Sequence, residues 1–114
     1  MGAEKTFENK VKKYIKDHGG WEVKFFANRM TKSGIPDILA CVNGYFIGIE
    51  VKAEHGKPSK LQKHQREQIH LAGGYSIILY PQDYLLFQSF IDSLNGPGHG
   101  NPKILEKMIN ERSS

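Results

Sequence analysis

Asn43-Gly44, set between two apolar runs, constrains the fold of this chain more than any other feature. The stretch reads Gly34-Ile35-Pro36-Asp37-Ile38-Leu39-Ala40-Cys41-Val42-Asn43-Gly44-Tyr45-Phe46-Ile47-Gly48-Ile49-Glu50-Val51-Lys52. A two-residue turn of this type needs positive φ at both positions, which Asn and Gly tolerate best, and it makes a tight hairpin. Val42 then pairs with Tyr45, and the same register carried outward sets Asp37 opposite Glu50. Lys52 shares their face, because side chains along a strand alternate.

Two carboxylates facing each other across a strand pair repel and cost stability unless something neutralises them. A divalent cation with oxygen ligands does so, and the Lys52 ammonium adds a positive charge beside a bound water or phosphate. Together they make an arrangement suited to phosphodiester cleavage. A plainer role is open to each residue alone, with Asp37 capping a turn after Pro36 and Glu50 and Lys52 forming a weak ion pair at a solvated strand edge. The joint register favours a site, since the rest of that face (Leu39, Cys41, Phe46) is apolar and is expected to be buried.

At 114 residues the chain suffices for one core but not two. No apolar run approaches the roughly 20 residues of a membrane span. The segment from Met1 to Lys16 is charged and lacks the apolar stretch of a signal peptide. Cys41 is the single cysteine, so no internal disulfide forms and a cytoplasmic protein is expected. Charge is unevenly spread. Residues 1–66 hold thirteen Lys/Arg against seven Asp/Glu, and residues 67–114 hold three against five. The basic half carries the hairpin, which suits a polyanionic partner.

Apolar positions Phe7, Val11, Tyr14 and Ile15 predict a helix from about Glu4 to His18, ended by Gly19-Gly20. Trp21 to Ala27 reads as a strand, and Asn28 to Gly34 as a polar loop. Both hairpin faces are largely apolar, which calls for helices on both sides and an α/β sandwich. Gly48, across from Leu39, leaves space for a helix to approach. Ser59 begins a helix that ends at Gly73-Gly74. Tyr75 to Tyr80 reads as a buried strand parallel to its hairpin neighbour, since a helix joins them. Asp83 to Leu94 reads as a core helix. Asn95 to Pro102 reads as a linker before a short amphipathic helix with Ile104, Leu105, Met108 and Ile109, free to dock on its own domain, meet a second subunit or fray.

Gly56-Lys57-Pro58-Ser59 is no phosphate loop, because the upstream glycine is missing and Pro58 interrupts the Lys-Ser step. No nucleotide cofactor is expected. The five histidines show no pairing with cysteine that suits zinc. Gln62 lies three residues after Ser59, the spacing of a capping box, and Gln65 follows one turn later.

The order helix, strand, Gly34-Ile35-Pro36-Asp37 hairpin, Glu50-Val51-Lys52, helix, strand resembles the PD-(D/E)XK nuclease superfamily. More narrowly it resembles the VRR-NUC (virus-type replication-repair nuclease) domain, in its small stand-alone form from phages and bacteria. Leu61-Gln62 ahead of Ala72-Gly73-Gly74, and the acidic Glu8 in the first helix, also match. The resemblance spans about residues 4–94. It implies a restriction-endonuclease-like three-layer α-β-α sandwich with a central mixed sheet of about four strands. The domain would occupy residues 1–94, with residues 95–114 the linker and short helix.

Carried over residue by residue, the resemblance implies that Asp37, Glu50 and the Val51 carbonyl bind Mg²⁺ or Mn²⁺. Lys52 would orient the attacking water and stabilise charge on the phosphate. Glu8 would complete the acidic pocket, and Gln62, or Gln65 one turn on, would help position the site. Lys10, Lys12, Lys13, Arg29, Lys32, Lys57, Lys60 and Lys63 are candidates for holding a DNA backbone. Stand-alone relatives imply a homodimer acting on four-way junctions in the cytoplasm of a bacterial cell, with Tyr84, Phe87 and the C-terminal helix as candidate dimer surface. Two other readings stand beside this one. The first is a flap, nicking or restriction-like nuclease on the same fold, and the second a non-catalytic nucleic-acid-binding module.

Overall fold

Asn43 and Gly44 take φ of 50° and 85°, and the turn they make pairs Val42 with Tyr45 and Ile38 with Ile49. The register expected from the turn is the one found. The computed structural model describes residues 2–96 and 98–114. Met1, and Pro97 within the expected linker, lie outside the described residues.

The elements run α1 (Ala3–Asp17), β1 (Trp21–Lys24), β2 (Ile38–Val42), β3 (Tyr45–Val51), α2 (Lys60–Leu71), β4 (Tyr75–Leu79), α3 (Tyr84–Asn95) and α4 (Pro102–Glu111). A 3-10 turn over Pro81–Asp83 leads into α3. The four strands form one mixed sheet in the order β1-β2-β3-β4. β1 and β3 flank β2 antiparallel, and β4 runs parallel to β3. A parallel neighbour requires a crossover, which α2 supplies.

α1 and α3 cover one face. Val11 and Ile15 from α1 and Phe87, Phe90 and Ile91 from α3 pack into one core with Ile38, Ala40, Val42, Ile47 and Ile49. α2 lies over the opposite face, and Gly48 makes its approach possible: a Cβ there would stand 2.9 Å from Ile69 Cδ1 and 2.9 Å from Pro36 Cγ. That face is less covered than its apolar pattern suggests. Leu39 and Cys41 are half-buried and Phe46 is 41% exposed, because α2 packs on β3 and β4 and leaves much of β1 and β2 open.

α4 docks on its own domain, along the outer edge of β4. Asn110 Oδ1 accepts from the Ile78 N–H at 2.9 Å, and its Nδ2 donates to the Ser76 carbonyl at 2.9 Å. Glu106 Oε2 accepts from the Ser76 N–H at 2.9 Å. Side chains thus occupy ladder groups that an edge strand otherwise leaves open to pairing with another chain. Ile109 is fully buried, and Arg112 grips Asp83 through two bonds of 2.6 and 2.8 Å. Phe87 is fully buried as well, packed against Tyr14 and Tyr84, so it is no part of a dimer surface. Its position on α3 turns it inward, while Leu85 faces solvent. Among the described residues no helix is long and apolar enough to cross a membrane.

Candidate active site

Pro36 is buried and holds the chain extended as it enters β2. The Phe25 N–H donates to the Asp37 carbonyl at 2.7 Å, which continues the β1–β2 pairing beyond its last ladder rung. The Val51 N–H donates to Asp37 Oδ2 at 2.9 Å. Asp37 is therefore tied by backbone to both neighbouring strands, and its orientation is set by the sheet.

One step beyond the Ile38–Ile49 pair, Glu50 faces Asp37. It is only 6% exposed, and its Oε1 is buried without a hydrogen-bond partner among the described residues. Burial, and next the neighbouring Asp37 carboxylate, push its pKa from 4.5 up to about 9, against the opposing pull of Lys52 and Lys24. A carboxyl left in this state is costly to fold and primed for a cation. Hard oxygen donors of this kind suit Mg²⁺ or Mn²⁺. Among the described residues no group of three or more His, Cys, Asp or Glu side chains converges as a ready-made cage. A cation here would rest on two carboxylates and take its other ligands from backbone, water and substrate, as Mg²⁺ commonly does.

Lys52 follows β3 half-buried, with its N–H donating to the Leu79 carbonyl at 3.0 Å. Glu8 reaches the same region from α1. It is buried and bonded to Lys24 Nζ through Oε1 at 2.6 Å and to Lys5 Nζ through Oε2 at 3.3 Å. Lys24 Nζ also lies 3.6 Å from Asp37 Oδ1. Glu4, Lys5, Glu8, Lys24 and Asp37 line one open cleft.

Lys24 is the residue that reading the sequence missed. Only the β1–β2 register, in which it pairs with Ile38, brings it beside Asp37. Its place three residues before the end of the strand expected over Trp21 to Ala27 is visible in the sequence, but nothing local fixes how that strand pairs.

The two glutamines serve the scaffold directly. Gln62 Oε1 accepts from the Ser59 N–H at 2.8 Å, and the Gln62 N–H donates to Ser59 Oγ at 3.1 Å, a complete capping box. Gln65 Nε2 donates to the Ser33 carbonyl at 3.3 Å, which ties α2 to the segment leading into Asp37. Of the basic candidates, Lys10, Lys13, Arg29, Lys32, Lys57, Lys60 and Lys63 are exposed and Lys12 is half-buried. Lys13 pairs with Asp17 at 2.6 Å, and Lys10 lies 4.2 Å above the Tyr84 ring. Lys57 and Lys63 line a second open cleft with His55 and Arg112, next to the loop that follows Lys52.

A mixed four-stranded sheet between helices, with an acid pair and a lysine at the ends of β2 and β3, defines the PD-(D/E)XK class of nuclease fold. A solved structure described as a VRR_NUC domain matches with a TM-score of 0.57 and 20% identity, over 93% of this chain and 92% of that one. No curated protein matches. The family model described as archaeal Holliday junction resolvase matches residues 2–80, a span that holds α1, the whole sheet, α2 and every residue of the acid cluster. The chain belongs to that family. α3 and α4 lie beyond the matched span.

Proposed function

We propose that the protein is a metal-dependent, structure-selective DNA endonuclease that resolves four-way junctions. The observation that carries this is Glu50, held buried opposite Asp37 with one oxygen unsatisfied and Lys52 beside it, in a chain of the junction-resolvase family.

Asp37, Glu50 and the Val51 carbonyl would hold Mg²⁺ or Mn²⁺, which when bound neutralises charge on the scissile phosphate and acidifies a water. Lys52 brings a compact ammonium group to the edge of the acid pair. It orients the attacking water and offsets negative charge as the phosphorus–oxygen bond breaks. Glu8 completes the acidic pocket from α1, and Lys24 holds Glu8 and Asp37 in one cluster. Gln62 and Gln65 position the site through α2 and the loop at Ser33. Arg29, Lys32, Lys57 and Lys63 hold the DNA backbone near the site, with Lys10, Lys12, Lys13 and Lys60 adding to the basic surface. A two-fold homodimer sets two equal sites on two symmetric strands. Work on DNA fits a protein of the bacterial cytoplasm.

The test is cleavage of four-way junction, flap and linear duplex DNA with Mg²⁺ or Mn²⁺, by the wild type and by Asp37→Ala. Junction cutting lost in the variant supports the proposal. Cutting of flaps alone makes the protein a flap nuclease, and no cutting of any substrate makes it a binding module. A protein that stays monomeric on junction DNA, by light scattering, overturns paired-site resolution.

A further inference from the structure

Phe26 and Met30 stand 75% and 90% exposed on the segment between β1 and Asp37, and neither belongs to the core cluster. Large apolar side chains left in water beside a charged site call for a partner surface. Lys24 Nζ lies 5.9 Å from the centre of the Phe26 ring and 3.6 Å from Asp37 Oδ1. One ammonium group therefore separates this aromatic ring from the acid cluster.

The segment has a defined shape. Asn28 and Thr31 bond to each other three times at the tip: the Asn28 N–H donates to Thr31 Oγ1 at 3.1 Å, and the Thr31 hydroxyl and N–H both donate to the Asn28 carbonyl, at 2.7 and 3.1 Å. Asn28 Oδ1 accepts from the Met30 N–H at 2.7 Å. At its far end Gly34, with φ of 80°, packs so closely on α2 that a Cβ would collide with the Leu61 carbonyl oxygen, and Gln65 Nε2 donates to the Ser33 carbonyl. The near end is tied by the Phe25–Asp37 backbone bond. A turn fastened at both ends and braced at its tip holds its side chains out at low entropic cost on binding. Arg29 and Lys32, on the same segment, are exposed as well, so the segment offers cationic groups beside the apolar pair.

We infer that residues 25–33 form a wedge that reads DNA structure, with Phe26 stacking on a base next to the scissile phosphate and Met30 filling the gap that base leaves. Arg29 and Lys32 clamp the phosphates on either side. Apolar side chains inserted at a base step and aromatic rings under an unstacked base are general means of holding deformed DNA. Bases at a branch point unstack more cheaply than bases in continuous duplex, so the wedge favours branched substrates without reading sequence. This rests on the junction-cutting proposal above and adds the residues that select the branch.

The experiment compares the full-length wild type, Phe26→Ala/Met30→Ala and Phe26→Trp. Binding is measured by fluorescence anisotropy with Ca²⁺ in place of Mg²⁺, and cleavage with Mg²⁺. One junction is fully paired, a second carries unpaired bases at the branch, and a linear duplex of the same length serves as the third substrate. The double variant is expected to bind and cut the paired junction about tenfold less well or worse, the range of one lost stacking contact. It should lose at least as much on the pre-opened junction, where the same stacking contact forms with no unstacking cost to offset it, and stay within about threefold of wild type in binding linear duplex, which offers no unstacked base. Phe26→Trp keeps a stacking face and should match wild type on both junctions. Both side chains are exposed, so an unchanged thermal midpoint is expected for each variant. A loss on linear duplex equal to that on the junctions, or no loss on either junction, overturns the wedge while wild-type junction cutting leaves the nuclease proposal standing. A wild type that neither binds nor cuts junctions overturns both.

Discussion

Lys24 Nζ and Glu8 Oε1 lie 2.6 Å apart, an ion pair that joins the edge strand β1 to α1 beside Asp37. Burial draws protons off Lys24, but Glu8 and Asp37 outweigh it and hold the ammonium charged more firmly than usual. Removing it leaves the buried Glu8 facing Asp37 with only the half-exposed Lys5 in support. Lys24→Ala should lose about 1–3 kcal/mol in urea unfolding at pH 7, less than a fully buried pair because Lys24 is partly exposed. Lys24→Arg should retain most of the stability. Cleavage should fall in Lys24→Ala even at temperatures where the variant is fully folded.

Glu50 opposes stability for the sake of the site. Its carboxyl titrates near 9 in the folded protein against 4.5 ordinarily, so between those values the folded state keeps a proton that the unfolded chain has released. Its contribution to stability is present below pH 4.5 and is lost as pH rises towards 9. Glu50→Gln keeps the shape without the charge. The variant should melt higher than wild type at pH 8–9, with a gap that narrows towards pH 5, and should be inactive as a nuclease. A thermal-melt series across that range checks this, and a variant less stable than wild type at pH 8.5 would contradict it.

Metal binding has to displace the same proton. Mg²⁺ should therefore raise the melting temperature of the wild type more at pH 8.5 than at pH 6, and neither Asp37→Ala nor Glu50→Gln should respond. A chelator should stop cleavage without unfolding the protein, since the core packs without help from the site. Loss of Asp37 should cost about a hundredfold or more in cleavage rate, on the scale of removing one stabilising group at a reacting centre.

Asn110 satisfies two backbone groups of β4 at once. Asn110→Ala strands both at the edge of the sheet and should cost about 1–3 kcal/mol. It also opens the edge to pairing with other chains. Size-exclusion runs at rising protein concentration should show new association in the variant, and an unchanged profile and stability would show that water replaces Asn110 without penalty.

The parts of this protein legible in its sequence are those in which cause and effect are neighbours along the chain. A two-residue turn sets the Asp37–Glu50 register because pairing starts at the turn and propagates outward. The Ser59–Gln62 cap and the glycine-terminated helices are local in the same way. Family resemblance then supplied Glu8, which no spacing alone would have joined to a hairpin thirty residues on.

Tertiary structure decided what depends on pairing across long gaps. The segment from Phe25 to Asp37 does not dictate how β1 lies on β2, so Lys24 entered the acid cluster only through the folded register. Helical periodicity allowed α4 three fates, and hydrogen bonds to Ser76 and Ile78 from Glu106 and Asn110 selected one. The apolar face around Leu39, Cys41 and Phe46 looked like core, yet α2 covers only part of the sheet. Sequence by itself determined the acid pair and its lysine, because backbone geometry over two turn residues leaves one register. Only the assembled fold determined what surrounds them, because those contacts join elements that no local rule holds in place.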